Sequence, residues 1–270
     1  MTQPATVQPA DTGQALGVDV GGSGVKGAIV DLATGEFVGD RVRIETPQPA
    51  TPAAIAATTA QIVEQLGWAG PIGVTVPAVV TGGIVRTAAN IDKSWIGTDA
   101  AALFSRTLDG RPVTVLNDAD AAGLAEDRYG AGREHSGVII LLTFGTGIGS
   151  AVLNNGVLLP NTEFGHFEVN GKDAERRAAA SVRERKDLSW KKWSKRVSKV
   201  LIRYEDLFWP DLFIAGGGVS RKADKWIPRL TNRTPMIAAQ LENTAGIVGA
   251  AMASVAIAGT ASASSTNTPE

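Results

Sequence analysis

Gly22–Val30, GSGVKGAIV, and Gly145–Leu153, GTGIGSAVL, align without a gap. In each, an apolar run enters (ALGVDV at 15–20, GVIILLTF at 137–144). A Gly-hydroxyl-Gly tripeptide then turns, and a second apolar run leaves. A further turn follows both: Ala33-Thr34-Gly35 after the first, and Asn154-Asn155-Gly156 after the second, a strong hairpin signal. The chain therefore reads as two similar halves, each opening on a glycine-turned hairpin. Facing each other, such halves would place both turns at one cleft.

Outward from these hairpins the pattern alternates. AAIAATTAQIVEQL (53–66) predicts a helix stopped by Gly67, and PIGVTV (71–76) a strand. DAAALFSRTL (99–108) predicts a helix capped by Thr98. RPVTVL (111–116) reads as a strand, ADAAGLAEDRYG (119–130) as a helix and DLFIAG (211–216) as a strand. Strands alternating with helices predict an α/β chain with largely parallel, buried sheets. Residues 1–14 and 260–270 are small, polar and aperiodic, and are expected to be disordered tails.

Composition narrows the function classes. The 270 residues are 44% hydrophobic and 20% charged, the balance of a soluble protein with a sizeable core. No run of 18 apolar residues predicts a membrane span, and MTQPATVQPADTGQ lacks the basic start and apolar centre of a signal peptide. Cysteine is absent, which excludes disulfides, thiol catalysis and thiolate zinc sites, and fits a reducing cytoplasm. A net charge of −1 predicts no polyanion partner from the global charge alone.

The 31 glycines concentrate where chemistry is expected. Gly22-x-Gly24-x-x-Gly27 matches the dinucleotide fingerprint, but VKGAIVDLATGEFVGD follows as a hairpin, and that fingerprint needs a helix there. A Walker A loop fails as well, because no Gly-Lys-Ser/Thr follows at its spacing. What remains is a β-hairpin phosphate clamp. Gly21, Gly22, Gly24, Gly145 and Gly147 would expose backbone N–H donors, and Ser23 and Thr146 would add hydroxyls. Lys26 either adds a positive charge or is a solvated strand residue. Asp19 could face phosphate only through a cation such as Mg²⁺; otherwise it is a turn or cap. Gly216-Gly217-Gly218, between the strand DLFIA and the segment ADKWIPRL, reads as strand, glycines, helix, a further place for a nucleotide's phosphates.

Five motifs in order now carry a resemblance. Leu16–Lys26 (LGVDVGGSGVK), Leu116–Ala122 (LNDADAA), Thr143–Gly149 (TFGTGIG), Glu163–His166 (EFGH) and Gly216–Ser220 (GGGVS) are similar to the ROK family of bacterial sugar kinases over about residues 15–258. The resemblance implies the actin-like ATPase (ribonuclease H-like) fold, with two similar α/β domains around a cleft. Residues 15–117 with about 247–259 would form the smaller domain and 118–246 the larger. It implies Mg²⁺-dependent phosphoryl transfer to the 6-hydroxyl of a hexose, with Asp118 as the base. A carboxylate within hydrogen-bond reach can orient a sugar hydroxyl and take its proton. Asp118 also stands at a strand-to-helix junction, where a capping role alone is open. Asn90, Asn117, Glu163, His166 and Glu175 match sugar-binding positions, and amides suit neutral hydroxyls because they donate and accept. Most members of the family bind structural zinc through a cysteine cluster after the histidine. Here Val169–Glu175 (VNGKDAE) has none, and one histidine offers too few ligands, so no zinc is expected.

Residues 176–203 hold eleven Lys/Arg against Glu184 and Asp187. Trp190, Trp193, Val197, Val200 and Leu201 mark an apolar helical stripe beneath them. An amphipathic helix with a solvated basic face is the ordinary outcome, and no nucleic-acid reading motif accompanies the charge. The cysteine-free stretch and this segment resemble the polyphosphate glucokinase branch of the family, with members using inorganic polyphosphate or ATP on glucose and mannose. Lys191, Lys192, Lys195 and Arg196 would then guide polyphosphate to the clamp, as a row of cations suits a linear polyanion. Three rivals stay open: a strictly ATP-dependent hexokinase of another sugar, a ROK-type sugar-sensing repressor, and an actin-like filament subunit. Only 15 residues precede Leu16, fewer than a DNA-reading domain needs. Glucose is not ranked against mannose, nor monomer against homodimer.

Overall fold

The computed structural model of the protein describes residues 13–89 and 91–263. The predicted tails beyond those limits, residues 1–12 and 264–270, lie outside the described residues, as does Asn90. The first strand starts at Gln14 and the last helix continues to Ala263, so both predicted tails are too long at their inner ends. At the C-terminal end the alanines, the best helix formers, carry the helix on through Thr260 and Ser262 to Ala263.

The described chain divides into two units. One runs up to Asp118 and resumes at Gly246; the other is Ala119–Ala245. In the first, β1 (Gln14–Val20), β2 (Val25–Asp31) and β3 (Phe37–Ile44) form an antiparallel meander. β4 (Ile72–Val76) and β7 (Val113–Asn117) then add parallel to β1, giving the order β3-β2-β1-β4-β7. A small hairpin, β5 (Val80–Thr81) with β6 (Ile84–Val85), lies between β4 and β7 in the chain. In the second unit, β8 (Val138–Phe144), β9 (Ile148–Asn154) and β10 (Val157–Leu159) make the same meander. β11 (Leu212–Gly216) and β12 (Met236–Ala238) add parallel, in the order β10-β9-β8-β11-β12. The two sheets are topological copies, and both Gly-hydroxyl-Gly tripeptides fall in the copied hairpin turn.

Each sheet is covered on both faces. In the first unit, Ile55, Ile62 and Val63 of α1 (Pro52–Gln65) and Phe104 of α2 (Ala100–Thr107) join Leu16, Val18 and Val74 in one core. Thr51 caps α1 by accepting from the Ala54 N–H, Pro52 fits its first turn, and Gly67 leaves it at φ +58°. The cap of α2 is Asp99, accepting from the Ala102 N–H, and not Thr98, whose hydroxyl donates to the Ser94 carbonyl. α7 (Ala245–Ala263) lies close against the sheet through glycines: a Cβ at Gly17 would overlap the Ile247 carbonyl, and one at Gly73 the Ala250 carbonyl.

In the second unit, α3 (Asp118–Tyr129) packs on β9, where a Cβ at Gly123 would collide with that of Ala151. The opposite side carries α4 (Ala174–Ala178), α5 (Ala180–Arg185) and α6 (Trp190–Phe208). Trp193, Val197, Val200, Leu201 and Tyr204 of α6 are fully buried, so the apolar stripe predicted on this helix is its core face. The Trp193 indole N–H donates to the Ala178 carbonyl at 3.0 Å, which fixes α6 against α4. Phe144 meets Trp193 and Trp226 edge-on, at 5.8 and 5.6 Å between ring centres.

Candidate active site

The first glycine turn closes with the Gly21 N–H donating to the Gly24 carbonyl at 3.1 Å. Of its three other carbonyls, those of Gly21 and Ser23 are occupied. The Thr46 hydroxyl donates to that of Gly21 at 2.5 Å, and an Arg43 Nη donates to that of Ser23 at 2.8 Å. The Gly22, Ser23 and Gly24 amides donate to no acceptor among the described residues. The turn therefore presents three free N–H groups and ties down the carbonyls of Gly21, Ser23 and Gly24, a polarity that favours an anion.

The second turn repeats the device with other residues. The Gly145 N–H donates to the Gly147 carbonyl at 3.0 Å. Ser181, at the start of α5, closes both remaining oxygens: its N–H donates to the Gly145 carbonyl at 3.1 Å and its hydroxyl to that of Thr146 at 2.7 Å. Gly145 and Thr146 are exposed.

Beside the first turn, Asp19 and Lys26 sit opposite one another in the β1–β2 pairing, with Lys26 Nζ 3.6 Å from the carboxylate. The Thr75 hydroxyl donates to the other Asp19 oxygen at 2.9 Å. Lys26 is thus an ion-paired residue next to the turn. A cavity of about 260 Å³ opens here, lined by Gly21, Gly22, Thr46, Pro77, Ile91 and Asp92 among others. Asn117, buried at the end of β7, donates through its amide to the Ala78 carbonyl at 3.1 Å. Asp118 follows it, exposed, as the first residue of α3.

In the second unit the structure brings Glu163, His166 and Glu175 together. The His166 ring nitrogens lie 3.6 Å from Glu163 and 3.9 Å from Glu175. Phe164–His166 is a single 3₁₀ turn, pressed against β9 so closely that a Cβ at Gly165 would overlap the Ile148 carbonyl. The Tyr204 hydroxyl donates to the Phe164 carbonyl at 2.6 Å, and burial pushes that phenol up. Glu175 accepts from the Ile148 N–H at 3.4 Å and passes over Gly147, where any side chain would collide with it. This triad therefore adjoins the second glycine turn. The Glu163 carboxyl is pushed above its ordinary range, chiefly by burial, with the Glu175 charge adding and His166 opposing.

Two expectations are corrected. The segment after Gly216-Gly217-Gly218 is not an α-helix but a 3₁₀ stretch, Gly218–Lys225, kinked at Lys222, so it has no α-helical N-terminus to hold a phosphate. Gly217 is needed for packing: it has φ +79°, and a Cβ there would overlap the Phe144 carbonyl. On α6, Lys191, Lys192 and Lys195 are exposed, and Arg196, half-buried, donates to the Arg177 carbonyl at 3.5 Å. The other correction concerns His166, whose ligand count was too low. Asp173 and Glu175 bring carboxylate oxygens within 4.8 Å of its ring, a three-donor N,O set.

Sequence reasoning missed Asp120. It is buried on the first turn of α3, and its carboxylate accepts from the Asn161 N–H at 2.7 Å. Burial foremost, then the Glu163 charge, pushes its carboxyl up to about 6 against the Asn161 bond. It therefore tethers the strand-exit loop leading to Glu163. Thr46, Arg43 and Ser181 were missed as well: each is a lone residue far in sequence from the turn it closes.

The ROK family model matches residues 15–178 of the chain, more than half its length. The chain belongs to the ROK family. This ROK protein is 66% identical over 241 residues to a polyphosphate glucokinase of Mycobacterium tuberculosis, covering 89% of this chain and 91% of that one. To a polyphosphate glucokinase of Mycobacterium leprae it is 61% identical over 259 residues, covering 94% and 80%. The crystal structure of inorganic polyphosphate/ATP-glucomannokinase from Arthrobacter sp. strain KM superposes with a TM-score of 0.85 at 49% identity, over 90% of this chain and 99% of the other. The duplicated sheets of this ROK protein are those of the actin-like ATPase fold.

Proposed function

We propose that this ROK protein is a hexose kinase that transfers a phosphoryl group from inorganic polyphosphate or ATP to the 6-hydroxyl of glucose, and of mannose. The observation that carries this reading is the repeated turn with capped carbonyls. Two backbone cradles made of N–H donors suit a chain of phosphoryl groups whose charge is spread over many oxygens. High identity to polyphosphate glucokinases supports the donor and the sugar.

Asp118 accepts the proton of the 6-hydroxyl as that oxygen attacks the terminal phosphorus. The phosphoanhydride bond breaks, and the donor leaves shorter by one unit, its new terminal oxygen carrying the charge. Asn117, Glu163, His166 and Glu175 hold the sugar hydroxyls, and Asn90 joins them by resemblance. The turns at Gly21–Gly24 and Gly145–Gly147, with Ser23, Thr146 and Lys26, hold the phosphates. When ATP is the donor, Gly216, Gly217 and Gly218 would meet the nucleotide through their backbone at the end of β11, without a helix N-terminus behind them. Lys191, Lys192, Lys195 and Arg196 lead the polyphosphate in.

Both Asp19 oxygens are engaged, one by Lys26 and one by Thr75, so Asp19 would hold Mg²⁺ indirectly, through a water of an ion that keeps waters and takes its other ligands from phosphates. When bound, the ion would neutralise phosphoryl charge. No helix of the described residues is long and apolar enough to cross a membrane, and we place the activity in the cytoplasm, acting on sugar rather than nucleic acid. A panel of glucose, mannose and other hexoses, crossed with polyphosphate and with ATP and scored by sugar 6-phosphate formed, tests the reading. Release of glucose 6-phosphate with polyphosphate is expected; product with neither donor would refute it.

A further inference from the structure

Arg43 has no part in any motif, yet it is built into the first glycine turn. Its Nη donates to the Ser23 carbonyl at 2.8 Å, and its guanidinium lies over Gly24, where a Cβ would stand 2.8 Å from Nε. The absent side chain at Gly24 is what lets the arginine in. In the β2–β3 pairing Arg43 is directly opposite Lys26. Like charges directly opposite on a sheet repel, and such pairs are destabilising on their own. Lys26 has Asp19 as its counter-ion, but among the described residues no carboxylate lies within ion-pair distance of Arg43. Arg43 is exposed, always charged and holds five N–H donors in a planar fork, of which the Ser23 carbonyl takes one. An uncompensated cation, set beside three unoccupied backbone amides and facing another cation, lacks an anion.

We propose that Arg43 is a further donor-binding residue, contacting a phosphoryl group of the polyphosphate or nucleotide held by the first turn. The inference rests on the reading of that turn as a phosphate cradle. The arginine has two tasks there. It turns the Ser23 carbonyl away from the anion, and it offers its remaining N–H groups to phosphate oxygens in the forked geometry that suits them. A phosphoanhydride chain is the ligand class, because a chain can meet the amides with one unit and the guanidinium with the next.

The test uses the full chain and its Arg43→Gln and Arg43→Lys variants, each checked by thermal melting. Binding of inorganic tripolyphosphate is followed by calorimetry, and donor KM, kcat and salt dependence by sugar 6-phosphate release. R43Q is expected to raise the KM for polyphosphate by about tenfold or more. It should also lower the slope of log(kcat/KM) against log[salt] by roughly one unit, with donor-free glucose binding within about twofold of the parent. R43K keeps the charge and so the slope, with a smaller rise in KM. An R43Q whose donor KM and salt slope match the parent overturns the inference alone. So do R43Q and R43K losing equally with unchanged slopes, which would make Arg43 a brace and nothing more. A parent protein that neither binds tripolyphosphate nor phosphorylates sugar overturns the cradle reading, and this inference with it.

Discussion

Asp118 and Asp120 stand two residues apart on the first turn of α3 and differ in every respect that matters to proton chemistry. Asp118 is exposed at the helix start, where it can meet a hydroxyl; Asp120 is buried and bound to the Asn161 amide. Asp118→Ala is expected to lower kcat by roughly 10²- to 10⁴-fold through loss of general-base help, measured as sugar 6-phosphate release. Activity near that of the parent would remove Asp118 from the mechanism. For Asp120 the readout is stability. Its carboxyl titrates at about 6 in the folded protein against an ordinary 3.8. Between those values the native state holds the proton that the unfolded chain has released, so stability falls as pH rises from about 4 to 6, by up to about 3 kcal/mol. Asp120→Asn keeps an acceptor for Asn161 and cannot ionise. Its denaturation midpoint should vary less with pH across that window than the parent's; an unchanged profile would assign the pH dependence elsewhere.

Among the elements, two helices are set by charges that act differently. The Glu126 carboxylate of α3, fully buried, accepts from the Ala131, Gln240 and Leu241 amides. Glu126→Ala leaves these donors without their acceptor and should cost about 3 kcal/mol or more in denaturant titration, with Glu126→Gln losing less because one oxygen remains. A loss below about 1 kcal/mol for the alanine variant would show that water replaces the carboxylate. On α6 the charges face outward. Changing Lys191, Lys192 and Lys195 together to Gln, with Arg196 altered in a fourth step because of its bond to Arg177, should reduce kcat/KM for polyphosphate about tenfold or more. The value for ATP should stay within about threefold. Equal losses with both donors would reject α6 as a polyphosphate path. The alternation of strand and helix was readable because buried strands and amphipathic helices differ in period. The 3₁₀ stretch after Gly216 was not: its glycines resemble a helix start, and only packing against Phe144 tells the two apart.

For the molecule as a whole, the repeat in the sequence was the decisive sign, since two hairpin turns of the same composition imply two sheets of the same order. The residues that close those turns left no such trace. A register shift between Gly27 and Ile29 defeats counting back from the Ala33-Thr34-Gly35 turn, so Arg43 could not be set opposite Lys26 from sequence. For α7 the resemblance placed about residues 247–259 with the first domain, but the face on which it docks was hidden. It carries no charged residue to mark a solvent face, and it seats on β1 and β4 because Gly17 and Gly73 leave its backbone room. Gly17→Ala or Gly73→Ala should therefore destabilise the first unit by about 3 kcal/mol or more, since the opposing atoms are backbone carbonyls and cannot turn aside. A melting temperature within about two degrees of the parent would show that α7 slides to make space.

The shielding of the turn oxygens by Thr46, Arg43 and Ser181 has one more result. A grip made of peptide amides responds to anionic oxygens and their separation, and it is blind to whatever is attached farther along. On the proposed reading of these turns, an adenosine tail and another stretch of phosphates would look the same from within either one. With α6 as the proposed polyphosphate path, donor preference would be free to drift through its lysines while the transfer step keeps its shape.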